Sequence, residues 1–160
     1  MASKLTAITI IAAAALTLAG GASAALGFAF GTAPAFSTTL DGTDQSSTST
    51  LPITVSGANG AFSFTASATQ FNNGSHTLGF PTVTGATTGV CTGGGCVGST
   101  NTITGYPLSL ASTVKIYSTA ASKGAMPITF DLALAVAGNA FASGGTPYSS
   151  TITLTIAATP

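Results

Sequence analysis

The sequence of 160 residues predicts an all-β fold, an antiparallel β-sandwich. Three observations carry this. Apolar residues recur at every second position in several stretches, the period of a strand with one buried face. Those stretches are short and are bounded by Gly, Pro, Asn and Asp, the residues of turns. Beyond residue 24, no stretch shows an amphipathic helical period with caps.

The predicted strands follow in chain order. "AFSTTL" gives a first strand over Ala35 to Leu40, and "STSTLPITV" a second over Ser47 to Val55. Pro52 has no N–H to give a ladder, which places that strand toward a sheet edge. "AFSFTASAT" alternates Phe62, Phe64 and Ala66 with Ser63, Thr65 and Ser67. A fourth strand is expected over His76 to Thr84, a fifth within "NTITGYPLSL", and a sixth in "STVKIYST", with Val114 and Ile116 facing inward. "MPITFDLALAV" is the clearest core strand, with Ile128, Phe130, Leu132, Leu134 and Val136 on one face. The last runs from Tyr148 to Ala158, and "GNAFASGGTPY" before it reads as a loop. About eight short strands of this kind suit an Ig-like or Greek-key sandwich, whose sheets bury one face and solvate the other.

Charge is scarce. Lys4, Lys115, Lys123, Asp41, Asp44 and Asp131 are the whole inventory, 4 % of the chain against a usual ~25 %. With 45 % apolar residues in alternation, the composition still favours a packed domain over disorder. Three scattered Lys do not make a phosphate-binding cluster, so nucleic acid is excluded as a partner.

Residues 1–24 read as a signal peptide: Lys4, an apolar run from Leu5 to about Ala19, then Ala22-Ser23-Ala24 before the expected cut. The rival is an uncleaved anchor, since the uncharged run continues through Leu26, Phe28 and Phe30. Residues 25–34 show no alternation and are expected as a flexible arm ahead of a domain over 35–160. "CTGGGC" sets Cys91 and Cys96 either side of a glycine turn, and in an oxidising compartment a disulfide is expected. A redox or zinc motif is the weaker alternative, because the spacing is not CxxC and no further ligand is near.

Catalytic material is thin. There is one His, no Glu and no GxSxG, so no enzymatic activity, metal or cofactor is expected. His76 reads as a strand-edge residue, Asp131 as a solvent-face charge, and Asp41 with Asp44 as a turn rather than a calcium loop. Asn73-Gly74-Ser75 fits the glycosylation triplet.

In order and spacing, residues from about 36 to 160 resemble the WxL-domain family of bacterial surface proteins. The family's closing Tyr, Trp-x-Leu and terminal Pro fall on Tyr148, Leu154, Ile156 and Pro160. Its earlier Trp-x-Leu falls on Phe62 and Phe64, so Trp is missing at both places. The resemblance implies a secreted, non-covalently held surface protein that associates with peptidoglycan or another envelope glycan. A neutral Ser/Thr surface suits hydrogen bonding to sugar. The alternative expectation is a subunit of an extracellular fibre or layer, homopolymeric or with other surface proteins. Its arm, Leu26, Phe28 and Phe30, would add a strand to a neighbour.

Overall fold

The computed structural model describes residues 26–37, 43–137 and 148–159, and the backbone of 9–12. Among these, ten strands form: β1 (Thr9–Ala12), β2 (Gly27–Phe30), β3 (Gln45–Asn59), β4 (Phe62–Ala68), β5 (Thr82–Thr88), β6 (Thr92–Val97), β7 (Leu108–Ser109), β8 (Val114–Thr119), β9 (Lys123–Val136) and β10 (Thr151–Ala158). They make two sheets, β1-β10-β4-β8 and β2-β3-β9-β5-β7, with β6 also on β9. All pairings are antiparallel except β1 with β10, which is parallel. The sandwich expected from the alternation is therefore present.

The register explains which faces meet. Across β3 and β9, Leu51 opposes Phe130, Ile53 opposes Ile128 and Val55 opposes Met126, all six buried. On the other sheet Phe64 opposes Ile156 and Ala66 opposes Leu154, again buried. One-residue slippage of either strand would turn its apolar row to solvent, so burial itself fixes the register. Phe64 of β4 joins the layers by packing edge-on against Phe130 of β9 at 5.7 Å, while Tyr117 of β8 stacks on Phe62 of the neighbouring strand at 5.7 Å. Each such buried side chain contributes about 1.5–3 kcal/mol through removal of apolar surface from water.

Several expectations need correction. Residues 27–30 are not a loose arm: β2 pairs with β3 from Gly27 opposite Ser56 to Phe30 opposite Ile53. No alternation was visible there because glycine and alanine stand between the rings. Residues 35–37 form no strand; Ser37 N–H donates to Ser47 Oγ and Ala35 N–H to Ser49 Oγ, drawing buried Phe36 over the end of the core. The rest of that expected strand, with Asp41, lies outside the described residues, as do residues 138–147 of the expected loop.

Pro52 is not at a sheet edge, since β3 lies between β2 and β9. It stands where β2 ends. Gly31 N–H donates to Pro52 O at 2.8 Å, and no return bond is needed from the ring nitrogen. A Cβ on Gly31 would sit 3.0 Å from Pro52 Cγ. Pro127 in β9 repeats the device where β5 ends: Gly89 N–H donates to Pro127 O at 2.9 Å, and a Cβ on Gly89 would lie 2.7 Å from Pro127 Cγ. In both places a glycine lets a strand stop against a proline whose missing donor faces the vacated side.

The fourth expected strand starts late. His76 lies in a turn and β5 begins at Thr82. Asn73 Oδ1 accepts the N–H groups of Ser75 and His76, and Asn72 Oδ1 that of Gly74. These side chains supply the acceptors that a ladder would otherwise offer.

Candidate functional site

The disulfide expected from the sequence is formed. Cys91 and Cys96, with Cα atoms 6.1 Å apart, close the glycine-rich β6 excursion on itself, and the pairing of Thr92 with Ala125 and Val97 with Lys123 lays it along the start of β9. Gly93 and Gly95 take positive φ (112° and 70°), a conformation that side chains with a Cβ disfavour. Most of this tip is exposed, including Val90 and Val97.

The four positions singled out by the WxL resemblance do not face solvent. Phe62, Phe64, Leu154 and Ile156 are all at most 2 % exposed, packed between the sheets. Phe28, from the predicted donor arm, meets Phe64 edge-on at 5.3 Å; Leu26 and Phe30 pack against the same core. The arm thus completes its own domain rather than a neighbour's. Side chains so placed hold layers together and offer no surface to a glycan.

Other candidates are dispersed. Asp131 lies mid-sheet on β9, opposite Thr50 on one side and Gly85 on the other. A Cβ on Gly85 would come 3.1 Å from its Oδ2, so the glycine leaves room for the carboxylate. Lys115 and Lys123 are exposed on β8 and β9. Among the described residues, no three His, Cys, Asp or Glu side chains come together.

Among the described residues, one arrangement suited to a ligand is a groove that sequence reasoning missed. It has a volume of about 380 Å³ and is lined by Thr69, Gln70, Asn72, Thr77, Ser149, Ser150 and Thr151. It lies where β4 ends and β10 begins. The backbone there is tied across the chain: Asn72 N–H donates to Ser149 O at 2.8 Å and Ser149 N–H to Asn72 O at 2.9 Å. Ser150 Oγ donates to Thr69 O at 2.6 Å, and Thr151 N–H to Thr69 Oγ1 at 2.9 Å. Phe71, Leu78 and Tyr148, each next in sequence to a lining residue, are buried in the core and anchor the walls. Gln70, Asn72, Thr77 and Ser149 are exposed at its walls. Every lining side chain is a neutral hydroxyl or amide, each with donor and acceptor capacity. The volume is within the range of small-ligand clefts. The Asn73-Gly74-Ser75 triplet forms the turn beside it.

No protein-family model, curated protein or solved structure matches the chain.

Proposed function

We infer that this is an exported, non-enzymatic protein of the cell surface, held non-covalently at the cell wall by peptidoglycan or another envelope glycan. The observation that carries the reading is the uncharged groove at the β4–β10 end. Sugars present neutral hydroxyls that both donate and accept, and hydroxyl and amide side chains match them without the desolvation cost of a charge. The resemblance to WxL domains and the apolar leader with its Ala-Ser-Ala site support the same placement. Because the family-equivalent positions are buried, retention here works through the groove and not through those side chains.

The test is co-sedimentation of the purified protein with isolated cell walls. The wild type is expected in the pellet. Gln70→Ala combined with Thr77→Ala is expected to weaken retention about tenfold, the loss of about 1.4 kcal/mol from two hydrogen bonds. Complete recovery of the wild type in the supernatant refutes wall association. Undiminished retention of the double variant moves the contact away from the groove.

A further inference from the structure

The four sheet edges are not alike. The edge at β2 is four residues long, and the edge at β7 two. At β8 the outer backbone groups are already taken: Thr102 N–H donates to Ser118 O at 2.8 Å, Ser118 N–H donates to Asn101 Oδ1 at 3.3 Å, and Tyr106 OH donates to Ile116 O. That edge also carries exposed Lys115 and a bulge opposite Phe64 and Thr65. These are the ordinary ways of discouraging edge-to-edge association.

β10 has none of them. It runs eight residues without Lys, Pro or a break in register against β4. Thr69 N–H donates to Thr151 O and Thr159 N–H donates to Ala61 O, so the odd-numbered residues turn their backbone groups toward β4. The groups of Ile152, Leu154 and Ile156 therefore point to the outer edge, because N–H and C=O of one residue leave a strand on the same side. Half of that edge is covered by the chain's own β1, Thr9 opposite Thr151 through Ala12 opposite Leu154. β1 lies inside the segment with the features of a cleavable leader.

We propose that β1 is an intramolecular strand cap, and that β10, once uncapped, pairs antiparallel with β10 of a second copy. The self-pairing is isologous: one edge serves both molecules and the interface closes as a two-fold dimer. A second copy has this edge to offer and little else, since its β2 and β7 edges are only four and two residues long and its β8 edge is bonded. No charge opposes the approach, because the outward residues beside the edge are Thr151, Thr153 and Thr155. The three described strands β8, β4 and β10 then continue into a six-stranded sheet across the axis. Where residues 1–24 are removed, the dimer forms by that removal alone.

The experiment uses the oxidised full chain, bearing a site-specific protease sequence between β1 and β2. Mass by analytical ultracentrifugation is read before and after the cut, at one concentration. A monomer that doubles in mass on cleavage supports the proposal. A chain that is dimeric before cleavage, or monomeric after it, overturns it. Thr153→Lys with Thr155→Lys places like charges on both sides of the axis, and the cleaved variant is expected to stay monomeric with an unchanged β-sheet circular dichroism spectrum; a persisting dimer assigns the contact elsewhere and overturns the β10 assignment. Hydrogen exchange on the uncut chain is an independent check. Slow exchange at Ile152 and Leu154 is expected, and rates of an open strand at both would remove the cap.

Discussion

Phe64 touches four other rings, Phe28, Phe62, Tyr117 and Phe130, and so bridges β2, β4, β8 and β9. Phe64→Ala should cost about 3–5 kcal/mol, the transfer loss plus a cavity that rigid strands close poorly. A denaturant melt with an unchanged slope checks it. Tyr106 is the other informative side chain. Its hydroxyl accepts from Asn101 Nδ2 at 2.9 Å and donates to Ile116 O. Burial, opposed by the Asn101 bond and reinforced by Tyr117, raises its pKa above the ordinary 10.0. The unfolded chain ionises first, so the stabilisation from this phenol is complete below pH 10.0 and is lost as pH climbs through the raised value. Tyr106→Phe should flatten that alkaline decline while losing about 1 kcal/mol at neutral pH, read from melting curves across pH.

At the scale of elements, the strands with unbroken alternation were legible. β4, β8, β9 and β10 lie close to where periodicity puts them, because each has one face in the core. β3 runs beyond the expected Ser47 to Val55, because after Val55 a register shift before Ala58 breaks the alternation; at its other end the Ser47 and Ser49 hydroxyls continue the inward row and accept from the crossing 35–37 segment. β6 was unreadable, since "TGGGC" has no side-chain pattern and is held by a covalent link. The groove was equally silent. Its walls come from ordinary polar residues around 69–77 and 149–151, brought together by the pairing of β4 with β10 and by the bridge between Asn72 and Ser149. Replacing Cys91 and Cys96 by Ser should lower stability by about 2 kcal/mol through the freed loop of the unfolded chain. Such a loss should appear in the melting midpoint, with β9's ladder to β3 intact by hydrogen exchange.

For the whole molecule, the long pairing of β3 with β9 sets a temporal problem. Gln45 must find Val136 and Asn59 must find Lys123, while β4 to β8 occupy the sequence between them. The first rung of that central ladder closes a large loop before neighbouring rungs return any gain. Chains dominated by such distant partners refold in roughly milliseconds to seconds rather than microseconds. During that interval oily ribbons with hardly a charge are bare to each other, so the route to the native state is crowded by clumping. Refolding yield should accordingly fall with protein concentration well before the finished domain itself shows any tendency to precipitate.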